Sequence, residues 1–505
     1  MNKIESLKAE KDGLDVWPDL LRYAAEDTPV DQIPEDDLQR MKWYGVFHRP
    51  QAPGTFMMRL RLPGGRATSE QLRVIARLAQ AGSHPFLDLT SRQNIQLRGF
   101  RLPDVPGMIE ALREANVLAQ QTGLDNVRNV IGCPLAGIAG DELFDATPLV
   151  EALVDPYLGD RAYSNLPRKF NVSITGCRQD CGHAQTQDFG LVPATSEGVP
   201  GFNVLVGGAL GGTSPRLATP LDVFVEPSEV QPLFLALLRV YRDHGPREKR
   251  TQARLKWLIE EWGEARLRDA VEVEFGRPLR RAGRDERSAV AGDHLGVHAQ
   301  HQPGRSYAGL HVPVGQISAA ALAELARLAD RYGAGEVRLT IDQNVIIPHV
   351  RDEDLPALLA EPLLAELRPE VPAIWRNLVA CTGNDFCHYS LIDTKGVALR
   401  VVGELERRGV DTAPGTRIHI SGCVHACGKH HVADIGVQGA NVRVDGAVRE
   451  AGDLYVGGRL GEHARLATAT KQRVLVEDLA DALERLLQPA PAGAPRSALT
   501  PATAG

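Results

Sequence analysis

The chain repeats itself once, and any fold it adopts must house two copies of one unit. Leu62-Pro-Gly-Gly65 is followed by an amphipathic helical stretch (Glu70 to Gln80) and then by Leu89-Thr-Ser-Arg-Gln-Asn94. Val312-Pro-Val-Gly315, the helical stretch Ala320 to Arg331, and Leu339-Thr-Ile-Asp-Gln-Asn344 repeat that order. Further on, Thr175-Gly-Cys-Arg-Gln-Asp-Cys-Gly182 is answered by Ser421-Gly-Cys-Val-His-Ala-Cys-Gly428, and Val206-Gly-Gly-Ala-Leu-Gly211 by Val456-Gly-Gly-Arg-Leu-Gly461. Every pair lies about 250 residues apart, far beyond the roughly 20–50 residues of solenoid and propeller repeats. Two fused, pseudo-symmetric halves are expected, with a site where they meet.

Alternating strands such as Met58 to Leu62 between helical patterns give a mixed α/β reading. At 505 residues the chain exceeds one hydrophobic core, so two or three domains are expected. The charged stretch Arg247 to Arg284 reads as the bridge between halves, and Gly304 to Tyr307 as the re-entry into the second. From Pro489 onward the tail is too poor in large apolar residues to fold.

A formal charge of -7 argues against a general nucleic-acid binder. The N-terminus lacks the pattern of a secretory signal, and no apolar run reaches the roughly 18 residues of a membrane span. The expected location is the cytoplasm, where clustered cysteines serve metals or catalysis rather than disulfides.

All seven cysteines fall inside the repeat. The second copy holds Cys381-Thr-Gly-Asn-Asp-Phe-Cys387 and Cys423-Val-His-Ala-Cys427, two close pairs that suit the four irons of a cubane cluster. Gly383, Gly422 and Gly428 let backbone N–H groups approach the sulfurs. Structural zinc pairs usually leave about two to four residues between ligands, so the longer gap in Cys381/Cys387 counts against zinc. The first copy keeps Cys133, Cys177 and Cys181 but has Ala139 where the match to Cys387 would fall. It reads as a degenerate copy, with a retained metal or redox role left open.

At this point the sequence resembles the ferredoxin-dependent nitrite and sulfite reductases, from about Met41 to Leu487. The resemblance is carried by Met41-Lys-Trp-Tyr-Gly-Val-Phe-His-Arg49, Thr90-Ser-Arg-Gln-Asn94, Asp125-Asn-Val-Arg-Asn129, Leu166-Pro-Arg-Lys-Phe-Asn171 and both cysteine pairs. It implies a duplicated α/β (α+β) fold of three domains with sirohaem at their interface. The implied layout is an N-terminal extension (1–40), paired ferredoxin-like half-domains (41–115 and 290–352), a first sirohaem-binding domain with linker (116–289), a second sirohaem and [4Fe-4S] domain (353–488), and a disordered tail (489–505). It also implies that Cys427 is shared between the cluster and the sirohaem iron.

Sirohaem is rich in carboxylates and the substrate is an anion, so their pocket needs fixed cations and donors. Read as a strand, Ser91 to Gly99 puts Arg92, Asn94, Gln96 and Arg98 on one face, whereas the second copy has Asp342, Ile346 and Pro348 at the positions of Arg92, Gln96 and Arg98. The resemblance places Arg92, Arg128, Lys169 and Asn171 on the substrate side. It assigns Asn94, Gln96, Arg98, Arg168, Gly207, Gly208, Gly457 and Gly458 to the cofactor. Ala209 stands where a dinucleotide fingerprint needs glycine. His425, His430 and His431 read as surface groups or as neighbours of the cluster ligands.

The expected activity is assimilatory: six-electron reduction of nitrite to ammonium, with electrons from ferredoxin, by a monomer without membrane or nucleic-acid partners. Asn171 favours nitrite, because sulfite reducers of this family carry lysine there. Ferredoxin-dependent sulfite reduction stays open, as do a precorrin-3B synthase-like enzyme and a non-enzymatic iron–sulfur sensor.

Overall fold

Both copies of the repeat fold into the same antiparallel sheet, and each lends the other a strand. In the computed structural model, which describes residues 2–288 and 292–488, strands Val46–His48, Phe56–Arg59, Ile95–Phe100 and Phe86–Leu89 lie side by side in that order. The sheet is completed by Gln316–Ser318, from the second copy. The second copy's strands Gly296–Ala299, Arg305–Leu310, Val345–Arg351 and Glu336–Leu339 are completed in turn by Arg66–Thr68 of the first. The second half therefore begins one hairpin earlier than Gly304, which is instead the positive-φ residue of that hairpin's turn.

The exchange is locked by a reciprocal pair of side chains. Gln93 donates to the Leu339 carbonyl at 3.0 Å, and Gln343 donates to the Leu89 carbonyl at the same distance. Gly65 (φ 73°) sits so close that a Cβ would meet the Leu339 oxygen at 2.6 Å. Helices Ser69–Gln80 and Ala319–Tyr332 pack against one another and bury their apolar stripes in one core. The first is started by a capping box between Thr68 and Gln71.

The second type of sheet also occurs twice. Strands Val127–Gly132, Phe170–Ile174 and Phe189–Ser196 run parallel, then Val199–Val206 and Thr219–Val225 continue antiparallel. Leu378–Ala380, Ile418–Ser421, Ile435–Val444, Ala447–Val456 and Thr468–Leu475 repeat that layout.

Among the described residues, those up to 209 and from 216 to 370 form one compact unit, and 210–215 with 371–488 form another. Arg247 to Arg284 is not a free bridge: helix Leu255–Phe275 packs on helix Val230–His244 and belongs to the first unit's core. The N-terminal segment is equally built in, with Leu7, Val16 and Leu20 buried. The tail expected to be unstructured, 489–505, lies outside the described residues.

Candidate functional site

In the first unit two of the predicted substrate residues, Arg92 and Arg128, share a cluster of positive charge with Arg59 and Arg168. Arg128, on strand Val127–Gly132, is buried at 8% exposure. One guanidinium nitrogen donates to the Leu124 carbonyl at 2.8 Å, while Nη1 is buried with no partner among the described residues. Burial, reinforced by the charges of Arg59, Arg92 and Arg168, pushes Arg128 well below the usual guanidinium range, and Asp125 pulls weakly the other way. Like charges gathered around a buried guanidinium with an unmet donor are costly unless an anion joins them.

Lys169 is half-buried just before strand Phe170–Ile174, and Asn171 is the second residue of that strand. The Asn171 backbone N–H donates to Asp188 at 2.8 Å, and its side-chain oxygen is buried without a partner among the described residues. The frame behind these residues was not foreseen. Asp188 accepts from Arg254 at 2.9 and 2.6 Å, and Asp125 accepts from Arg250 at 2.7 and 2.8 Å and from Lys8 at 3.2 Å. Arg168 stands 3.7 Å from Asp125. Burial would raise the Asp125 carboxyl, but these cations outweigh it and hold the group below the usual carboxylate range. Asp125 lay in a motif already singled out, whereas Lys8, Arg59, Arg250 and Arg254 carry no local signal.

The polar row expected on Ser91 to Gly99 is corrected. The strand begins only at Ile95, because Gln93 takes a left-handed φ of 52° and the Thr90 hydroxyl donates to the Asn94 side chain. Arg92 and Asn94 therefore sit in a turn, where the Arg92 carbonyl accepts from Asn129 at 2.9 Å. Gln96 and Arg98 are on the strand and buried, with Arg98 donating to Asp88 at 2.8 Å and to Gln96 at 3.0 Å. Gly208 is required by close packing, since a Cβ there would meet the Gln185 and Gln187 carbonyls at 2.7 and 2.6 Å. A Cβ on Gly207 would meet Ile259 at 2.6 Å.

In the second unit Cys381 follows Leu378–Ala380, Cys387 lies in the next turn, and Cys423 and Cys427 follow Ile418–Ser421. The Gly422 amide donates to Cys381 Sγ at 3.2 Å. Burial, with the charge of neighbouring cysteines behind it, pushes the Cys381 thiol up to about 11 and Cys423 to about 12. Thiolates placed there need a cationic partner, which a cluster of irons supplies. Cys427 is the exposed member of the four. Gly457 faces open space, whereas a Cβ on Gly458 would strike the His431 carbonyl at 2.7 Å.

Of the two readings of the histidines near this turn, the surface one is corrected for His430 and His431. His430 and His431 are buried, stacked 3.9 Å apart and flanked by Tyr455, not surface groups. Burial pushes them down to about 2 and about 4, so both are neutral. His425 is half-buried and lies edge-on to Tyr389.

Both repeated parts of the chain match known family models. Residues 123–279 and 373–489 match the nitrite and sulphite reductase 4Fe-4S domain, and residues 49–115 and 298–365 match the nitrite/sulfite reductase ferredoxin-like half domain. A ferredoxin–nitrite reductase of Synechococcus elongatus is 44% identical over 96% of each chain. The chloroplastic ferredoxin–nitrite reductase of Zea mays is 42% identical over 96% of this chain and 89% of its own. The solved structure of the Mycobacterium tuberculosis NirA protein superposes with a TM-score of 0.91 at 30% identity, covering 98% of this chain and 95% of that one.

Proposed function

Since the chain belongs to the nitrite and sulphite reductase family, we propose that it is an assimilatory ferredoxin-dependent nitrite reductase, converting nitrite to ammonium by six-electron reduction. The observation that carries the substrate side is the buried cationic cluster around Arg128, with its unmet Nη1 donor. Such a site holds an anion, either a carboxylate of the cofactor or the substrate itself.

Cys381, Cys387, Cys423 and Cys427 would hold the [4Fe-4S] cluster, with Cys427, the exposed thiol, as the one shared with sirohaem. When bound, sirohaem and cluster together supply the electrons singly to the substrate. Arg92 and Arg128 orient the anion through fixed N–H donors, and the cluster of charge stabilises it. Lys169 Nζ attracts nitrite and passes protons as oxygen leaves as water. Asn171 adds no charge where sulfite reducers of the family carry lysine, and the weaker positive field matches singly charged nitrite better than sulfite. Asn94, Gln96, Arg98 and Arg168 line or brace the cofactor's carboxylate side; Gly457, whose Cβ position is open, lets its ring approach the backbone, and Gly207, Gly208 and Gly458 act by holding the flanking loops in close packing.

Ferredoxin is the proposed donor, and we read the enzyme as a cytoplasmic monomer. Among the described residues no helix is long and apolar enough to cross a membrane.

Anaerobic absorption spectra followed by nitrite and sulfite titrations, with reduced ferredoxin or methyl viologen, test the reading. Red-region sirohaem bands and faster nitrite turnover are expected. Faster sulfite turnover would reverse the substrate assignment, and a cluster signal without sirohaem bands in fully loaded protein would overturn the enzyme reading.

A further inference from the structure

The first copy's three cysteines, unneeded for the cubane, are gathered by the fold with a histidine. Cys133 directly follows strand Val127–Gly132, and Cys177 and Cys181 lie in the turn after Phe170–Ile174. Their sulfurs lie within 4.8 Å of one another, and all three residues are buried. Cys177 Sγ and Cys181 Sγ are 3.4 Å apart, and His294 Nε2 is 3.1 Å from Cys181 Sγ. Tetrahedral zinc, with bonds of about 2.3 Å to sulfur and about 2.0 Å to nitrogen, holds its ligand atoms roughly 3.5–3.8 Å apart.

A cubane is excluded by the same distances. It spreads its cysteines over separate iron corners, and sulfurs this close leave no room for the cluster body. The fourth thiol is missing too, since buried Ala139 stands at its position.

Ordinary packing of small apolar side chains would explain the contacts but not the donors. The Leu135 amide points at Cys133 Sγ at 3.3 Å, and the amides of Gln179 and Cys181 point at the Cys177 sulfur. Amide N–H groups aimed at sulfur are the outer support of metal-bound thiolates. Leu135, Ile138, Tyr307 and Ile346 close the surroundings, so negative sulfur there needs a cation.

We propose that Cys133, Cys177 and Cys181 bind one zinc ion, with His294 drawn in from its contact with Cys181 as the fourth donor, in a closed structural site separate from the cluster cysteines. The ion ties together the loop after Val127–Gly132, the Cys177–Cys181 turn and the segment leading into strand Gly296–Ala299. With four protein ligands it has no open position for substrate.

Metal quantification and zinc K-edge X-ray absorption on the purified holoenzyme test this directly. The expected result is about one zinc per chain, bound by three sulfurs and one nitrogen at the distances above. Cys177→Ser should lose the zinc while keeping the iron of sirohaem and cubane, and His294→Ala should replace the nitrogen scatterer with oxygen. The wild-type spectrum decides the matter even if a variant fails to fold. Holoenzyme with negligible zinc, a Cys177–Cys181 disulfide found by mass spectrometry, or iron beyond that of the two expected cofactors would each overturn the assignment. An unchanged spectrum in His294→Ala would remove His294 from the ligand set.

Discussion

Arg128 costs the unliganded chain energy: one guanidinium nitrogen is held by the Leu124 carbonyl, and the proposed role of the other is to hold an anion. Arg128 Nη1 has no partner among the described residues, and three other arginines share its surroundings. Arg128→Met should therefore separate function from stability. A hydrogen bond to a charged group is worth about 1.5–3 kcal/mol, so kcat/KM for nitrite should fall roughly 10- to 150-fold. The melting temperature of the cofactor-free chain should hold or rise. Steady-state kinetics and calorimetry on the same variant check both, and a lower melting temperature with unchanged kinetics would make Arg128 structural. At this scale the sequence offers a candidate where a residue sits in a distinctive run, as Arg128 does in Asp125-Asn-Val-Arg-Asn129. It was silent on Arg59, Arg250 and Arg254, because a charge becomes part of a site through partners far along the chain. Arg250 meets Asp125 across 125 residues and Arg254 meets Asp188 across 66.

Elements show the same contrast between local and distant signals. Helix Ser69–Gln80 was readable from its apolar spacing, and the structure adds the Thr68/Gln71 cap. The start of strand Ile95–Phe100 was misplaced, because the Gln93 turn is decided by the Leu339 carbonyl of the other copy. The turn is thus a packing device, and Gly65 beside it should be intolerant of substitution. Gly65→Ala combines a left-handed φ with a clash onto Leu339, for a cost of roughly 3 kcal/mol or more. Gly457→Ala, with φ of 76° but open space, should cost only about 1–2 kcal/mol. Denaturant melts of the two variants give the comparison, and equal costs would mean the contact at Gly65 yields easily. The turn His430–Val432 makes a second, pH-dependent prediction. His430, His431 and the nearby buried His419 are held near 2, 4 and 3, chiefly by burial, with Arg417 and Lys429 adding to the effect at His419. Unfolded histidines titrate near 6.5, so below that pH the unfolded chain binds protons that the native one refuses. Stability is fully present above about pH 6.5 and falls as pH drops toward 4, by up to about 4 kcal/mol per pH unit for the three together. Melting temperatures at pH 7 and 5 should differ accordingly, and His430→Phe should reduce the slope by about one proton. A flat profile between those pH values would show that the imidazoles are not held neutral.

On the scale of the whole molecule, duplication was the most legible feature and strand exchange the least. Repeated motifs reveal that there are two copies, but backbone pairing leaves no periodic trace of which copy supplies an edge strand. The consequence is a folding constraint. Strand Arg66–Thr68 finds its partner only at Glu336–Arg338, and the Arg66 side chain reaches Glu336 at 2.8 Å. The first half-domain likewise waits for Gln316–Ser318 to complete its sheet. Closing a loop this long adds only a modest entropy cost to stability, but such non-local pairing slows folding. A fragment ending at residue 288 would present the Phe86–Leu89 edge unpaired and leave the apolar stripe of helix Ser69–Gln80 without helix Ala319–Tyr332. That fragment should therefore refold to an aggregation-prone state that binds hydrophobic dye and lacks near-ultraviolet dichroism. Adding the complementary fragment, residues 292–488, during refolding should restore the dichroism and a cooperative melt. If the first fragment alone gave a native-like spectrum and a sharp transition, the exchanged strands would be an ornament on two self-sufficient halves. The reciprocal Gln93 and Gln343 contacts argue that they are the joint by which each copy completes the other.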